Sequence, residues 1–389
     1  MTGPEPGDAG AAERDRWRAA RREMNQRRHA LAAAAAGLYP GIPRIGSTGL
    51  LCRPEWLPAR PARLDQVRLR WADHPPAPLA GGSGPASAHL RPASPSGPRY
   101  RTYAEALAAL DPPALFENRP AYRPLAADLS DPAGACHLDL TAGRYFDTVS
   151  VGEALAHELA AAWPGGGAMP GLGSLPFRAW VGDPLDLARR PAGLAVSTLT
   201  LRRLPSGQAS FLLHWRDPAR VTHAGGLYQV LPVGIFQPAD ANPASVRSDL
   251  SLWRAMAREF SEELLGTTED YTRLGTPIDY GRWDFYRRLT TARKDGRLRV
   301  WCLGLGTDPL TLATDLLAVA VFDATLFDAE FAGLVSVNAE GRIVTGHPAT
   351  GFPFTAEVVA RFAGGTEPVQ AAAAAALQLA WKHRALLLG

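Results

Sequence analysis

The chain has 389 residues, 46% of them hydrophobic and 20% charged, with a formal net charge of +3. Such a length exceeds one ordinary domain, and such a composition excludes a mostly disordered chain. The small positive excess does not mark the whole chain as a nucleic-acid binder.

Residues 1–10 are expected to be loose, and about 12–37 read as one basic helix, dense in Arg and Glu and free of Gly until Gly37. Its basic face is either a solvated surface or a contact for an acidic partner. The alanine tract inside it is too short and too weakly apolar to span a bilayer or to serve as a signal sequence, so the expectation is a cytoplasmic protein without a membrane partner. Cys52, Cys136 and Cys302 lack the short spacing of a zinc or redox motif and read as reduced core thiols.

From residue 38 the chain reads as an α+β N-terminal domain reaching about 185. Val67–Trp71 alternates like a strand. Residues 74–98 are rich in Pro, Gly, Ser and Ala, with almost no large apolar side chain, and are expected to form a mobile insertion. A helix is predicted from Thr102 to Leu110, a strand near His137–Leu140, the triplet Tyr145-Phe146-Asp147 as a strand end, and a helix from about Gly152 to Trp163. Glycines 165–167 mark a joint.

Beyond the joint, over 186–345, strands dominate. Leu194–Arg202 and Ser210–Trp215 form a hairpin about Pro205-Ser206-Gly207. A further strand is predicted over Tyr228–Phe236, a helix over about Asp249–Leu265, strands near Val300–Gly304 and Leu317–Phe322, and a short helix over Leu326–Leu334. Residues 346–389 read as a C-terminal helical extension, with a helix from about Pro368 to Leu388.

The helix near Asp249 carries the chemistry. Setting Glu259 at zero, Glu262 falls at roughly −60 and Glu263 at roughly +40 degrees, so three carboxylates share one face. Trp253, Met256, Phe260 and Leu264 form an apolar stripe beside them. Crowded carboxylates need a cation or water, and hard oxygen ligands suit Mg²⁺ or Mn²⁺. Arg258, four residues before Glu262, is placed to hold a carboxylate.

Arg258-Glu259-Phe260-Ser261-Glu262-Glu263 fits the central R-E-U-x-E-E of the Nudix pattern G-x5-E-x7-R-E-U-x-E-E-x-G-U. The order around it fits too: the hairpin 194–215, then Gly226-Leu227-Tyr228-Gln229-Val230-Leu231-Pro232-Val233-Gly234 where that family has a strand and a proline-glycine turn. About residues 190–345 resemble a Nudix domain. The resemblance implies an α/β fold, a Nudix-type α/β/α sandwich with a mixed sheet in the C-terminal half. It also implies that Glu259, Glu262 and Glu263 bind Mg²⁺ or Mn²⁺, with Glu262 and Glu263 catalytic and Arg258 orienting them. The substrate class it implies is a nucleoside diphosphate linked to another group.

Departures accompany the resemblance. The upstream glutamate of the pattern falls on Leu250 and its first glycine on Ala244; Asp249 is adjacent, and the later glycine arrives at Gly266. Fold and catalysis therefore separate, and a noncatalytic Nudix-like ligand-sensing or regulatory protein is the alternative reading. Asp279, Asp284, Asp308, Asp323 and Asp328 are candidates for a general base, each also readable as a turn or cap residue.

In the N-terminal half, Glu117, Asn118, Arg119, Tyr122 and Arg123 gather hydrogen-bonding groups and a ring. Arg119 and Arg123 are candidates to grip a phosphate and Tyr122 to stack on a base; the same residues also read as an interdomain packing motif. Glu153, His157 and Glu158 read as part of a structural helix. The expected partner is a nucleotide-like small molecule rather than nucleic acid, and the oligomeric state is left open.

Overall fold

A computed structural model describes residues 6–113, 116–131, 136–216, 226–267, 277–335, 341–344 and 351–389. The basic N-terminal stretch forms two helices rather than one, α1 (Pro6–Gln26) and α2 (Arg28–Ala36). Part of its basic face turns inward, against expectation. Arg21 and Arg28 are buried, and both donate to the Glu153 carboxylate, at 2.9 and 2.7 Å. A guanidinium removed from water is costly unless it is paired or hydrogen-bonded there, and Glu153 supplies an anion removed with both.

Strands β1 (Ala62–Arg63) and β2 (Arg68–Trp71) follow. The segment 74–98 is packed, and the expectation of a mobile insertion is corrected. Ala80, Ser87 and Leu90 are buried, Trp17 Nε1 donates to the Leu90 carbonyl, and Arg91 donates to the carbonyls of Ser83, Gly84, Tyr100 and Arg101. Small residues bury completely while contributing little hydropathy, so the sequence carries no signal for it.

Helix α3 (Tyr103–Leu110) is capped by Thr102, whose Oγ1 accepts the Glu105 N–H. Strands β3 (Pro120–Asp128) and β4 (His137–Arg144) complete a small sheet in the order β2-β4-β3. Helix α4 (Tyr145–Ala162) starts at once, so Tyr145-Phe146-Asp147 is its first turn and not a strand end. Within it, the Tyr103 hydroxyl meets His157 Nδ1 at 2.9 Å, and Glu158 accepts the N–H groups of Phe177 and Arg178 at the start of α5 (Pro176–Val181). The structural role of this helix is borne out.

The C-terminal half opens with the expected hairpin. β5 (Leu194–Arg203) returns as β6 (Ala209–Phe211) through a turn in which Gly207 has φ +84°. The strand expected over 228–236 divides: β7 (Leu213–Arg216) pairs with β8 (Tyr228–Gln229), whereas β9 (Val233–Ile235) pairs with β5. Helix α7 (Leu252–Glu259), continued by a further helical turn over Phe260–Leu264, stands where a helix is expected from about Asp249 to Leu265, and a short helix α6 (Pro243–Ser248) precedes it. Helix α8 (Asp284–Lys294), not anticipated above, precedes the long strands β10 (Leu298–Thr307) and β11 (Thr314–Asp323). After them come α9 (Ala324–Glu330), β12 (Gly341–Val344), β13 (Phe352–Pro353), α10 (Ala356–Ala363), α11 (Ala371–Lys382) and α12 (Arg384–Leu388).

The main sheet runs β1-β10-β11-β5-β6-β13, with β9 also on β5; the β11–β5 pair is parallel and the others are antiparallel. It is therefore a mixed sheet in an α/β fold. Alternation along the strands assigns the layers. Arg202 and Phe322 are register partners; Arg202 bonds Asp328 of α9, and the Phe322 ring meets Phe260 at 5.4 Å. One residue further, on the other face, Arg203 donates to the Leu388 carbonyl, and Arg299, opposite Val321, donates to that of Gly389. Helices thus cover both faces, and β11 is buried along nearly its whole length, as a central strand must be. All three cysteines are free and buried, as expected.

Candidate ligand site on helix α7

Helix α7 forms because Ser251 caps it, its Oγ accepting the Arg254 N–H, and because Trp253, Met256, Phe260 and Leu264 bury one stripe as expected. Its end departs from the α-helix. Phe260–Leu264 form a π-helical turn, in which each residue advances through a smaller angle. A residue four positions on then nearly completes a turn, while a residue three on falls further behind. The regular steps that place Glu259, Glu262 and Glu263 on one face therefore do not hold through this turn.

The contacts agree. Glu263 is 7% exposed and its Oε1 accepts the Val233 N–H at 2.9 Å. Glu259 lies against Gly234, where a Cβ would collide with its carboxylate. Two carboxylates thus converge on β9, and Glu262 is half-exposed. Among the described residues, no group of three or more His, Cys, Asp or Glu is gathered as a metal ion requires. Carboxylate oxygens are the right donors for Mg²⁺. Of the three carboxylates that the pattern implies, Glu259 and Glu263 approach β9, and Glu262 follows on the π turn, partly exposed.

Arg258 does something other than expected. Its Nη1 is 3.0 Å from Asp249 Oδ2 and 2.9 Å from the Tyr280 hydroxyl, which donates to Asp249 Oδ1 at 2.8 Å. Nη2 donates to the Gln237 carbonyl, and the Ala239 N–H donates to Asp249. Burial alone would lower the Arg258 pKa, but Tyr280, Asp249 and Glu259 outweigh it and raise it. Asp249 is completely buried in this triad, which pins the loop before α7 to the helix. It is thus committed to Arg258 and not offered to a metal.

No family model matches the chain, and no curated protein matches it significantly.

Above the triad lies an aromatic group that the sequence reading missed. The Tyr280 and Tyr286 rings are 4.9 Å apart, the Trp283 and Tyr286 rings lie nearly parallel, and Arg254 covers Tyr280 at 4.6 Å. The aromatic run Tyr280–Tyr286, with Phe285, Leu289 and Ala292 at helical spacing, carried that signal.

The N-terminal candidates lie apart from α7 in role. Tyr122 is 1% exposed, its ring packed on Phe236 at 4.6 Å and its hydroxyl donating to the Val246 carbonyl. A ring so enclosed has no face for a base, which corrects the stacking role and leaves the packing one. Glu117 and Arg119 form an ion pair at 3.0 Å near the surface, and Asn118 Oδ1 accepts the Phe146 N–H at the start of α4. Arg123 is buried, donating to the carbonyls of Ala188 and Arg190, so it and Arg119 do not share one setting.

The general-base candidates all occupy turn, cap or ion-pair positions. Asp279 accepts from Gly281 N–H, Asp308 from Leu310 and Thr311 N–H, Asp284 pairs with Arg287, Asp328 pairs with Arg202, and Asp323 occupies the N-cap of α9.

Proposed function

We propose that residues 190–345 are a Nudix-like module that binds a nucleotide-like small molecule and acts as a ligand-sensing or regulatory element. The observation that supports this reading is the π-helical turn at Phe260–Leu264, which alters the regular spacing on which a shared face of Glu259, Glu262 and Glu263 depends. Two further features support it. Leu250 stands where the pattern has its upstream glutamate, and Asp249 beside it is spent on Arg258.

A second reading, a Mg²⁺- or Mn²⁺-dependent hydrolase of a nucleoside diphosphate linked to another group, is favoured by the convergence of Glu259 and Glu263 on β9. In that reading Glu259, Glu262 and Glu263 would hold the metal, which would supply charge neutralisation at phosphate.

One experiment separates the two. The full chain is titrated by calorimetry with nucleotides and nucleotide sugars, with and without Mg²⁺, while phosphate-bond cleavage is followed in parallel. Binding that does not depend on metal, without product, supports the sensor. Metal-dependent cleavage that disappears in Glu262→Gln or Glu263→Gln overturns it in favour of the hydrolase.

A further inference from the structure

A cavity of about 400 Å³ lies between the small sheet, the start of α4 and the packed segment 74–98. That is the size of a small-molecule site. Its wall carries Arg123, Arg144 and Asp147, together with the hydroxyl-bearing Thr102 and Ser150.

The cation at its base is built in. Arg123 is 6% exposed, and its Nε and Nη2 are fixed by the carbonyls of Arg190 and Ala188 at 3.2 and 2.6 Å. Neither partner neutralises its charge, and Nη1 makes no hydrogen bond among the described residues. Gly143 makes this placement possible, since a Cβ there would stand 2.9 Å from Arg123 Cβ. Arg144 adds a second, exposed guanidinium, one of whose nitrogens is bonded to the Asn118 carbonyl.

Other lining residues keep donors as well. Thr102 Oγ1 and Ser150 Oγ each accept a backbone N–H, from Glu105 and Ala104, which leaves their hydroxyl protons for an acceptor. Of the first three N–H groups of α4, those of Tyr145 and Phe146 are taken by the Arg119 carbonyl and Asn118, and the third belongs to Asp147 on the cavity wall. Asp147 is the one acceptor of charge. As a residue it is exposed, but its carboxyl is shielded enough by the wall for its pKa to rise, while Arg144 and Arg123 pull it back. Two cations against one carboxylate leave a net positive lining with one place to receive a ligand hydroxyl.

We propose that this cavity binds a small phosphorylated polyol of sugar-phosphate size, its phosphate on Arg123 and Arg144 and a hydroxyl on Asp147. The planar guanidinium fork matches a phosphate in geometry as well as charge. The site is independent of the reading given for α7, and nothing in one requires the other.

The test is calorimetric titration of the full chain with ribose 5-phosphate, ribose and inorganic phosphate. Saturable binding of ribose 5-phosphate is expected, tighter than that of phosphate and with none for ribose. Arg144→Ala should weaken it about tenfold, the scale of one hydrogen bond to a charged group. Gly81→Leu, which adds bulk to the cavity wall where a Cβ meets no atom within 4 Å, should weaken it further. If Gly81→Leu fails to fold by circular dichroism, Asp147→Asn takes its place, at an exposed position, and weaker binding is again expected. Absence of saturable ribose 5-phosphate binding in the millimolar range, equal binding of ribose, or unchanged affinity in the variants would each overturn the proposal.

Discussion

Asp249 and Arg258 form an ion pair at 3.0 Å in which both side chains are almost wholly out of water. Breaking such a pair by removing one partner typically costs about 3–5 kcal/mol, because the other charge stays buried. Asp249→Leu and Arg258→Met are each expected to lower stability by roughly that amount. The double variant should recover much of the loss. Urea unfolding of the four proteins measures the coupling, and additive losses would contradict it.

Gly234 and Glu259 occupy the same space in turn: a Cβ on the first meets the carboxylate of the second. Gly234→Ala is therefore expected to destabilise by about 1–3 kcal/mol, the usual scale of overpacking. In a Glu259→Ala background the same change should cost little. A double-mutant cycle that returns no interaction energy would remove this contact from the account.

His157 is buried, and its pKa is pushed down to about 3 by burial first and by Arg21 second. In the unfolded chain it titrates near 6.5. Between those values the unfolded chain binds a proton that the native one refuses, so stability falls as pH drops below about 6.5. The slope due to this one group is about 1.4 kcal/mol per pH unit at most. His157→Gln, which keeps an acceptor for the Tyr103 hydroxyl, should show a shallower decline, read from thermal unfolding between pH 4 and 7. Parallel profiles would show that His157 is not responsible.

Asp315 has the opposite sign. Burial raises its pKa to about 7, against the hydrogen bond donated by Ser197. The native protein keeps a proton that the unfolded chain has already lost, so stability is fullest below about pH 4 and declines as pH rises through about 7. Asp315→Asn should thus gain on the wild type at pH 8 relative to pH 5. A constant difference in Tm between the two pH values would refute this.

What the sequence disclosed follows from the range of each interaction. The hairpin of β5 and β6, the cap at Thr102 and the apolar stripe of α7 are set by neighbours within a few residues, and periodicity records them. The triad of Asp249, Arg258 and Tyr280 closes over separations of 22 and 31 residues, and the pair of Arg21 and Glu153 over 132. No local pattern encodes such meetings. The π turn was hidden for a different reason: a spacing of three and four residues reads the same in either helix until the backbone is seen. The candidate site was therefore legible in its residues and in its helix, and illegible in which carboxylates meet.

The two-residue strand β1 lies on the open side of β10, pairing Ala62 with Cys302 and Arg63 with Trp301, whose ring Arg63 also covers at 4.9 Å. The half of the chain that carries α7 thus borrows its border from the other half. Cut free of the N-terminal half, residues 186–389 would present a naked strand edge to other molecules and invite aggregation. The half that carries α7 is therefore not a cassette to be lifted into another protein without the strand that borders it.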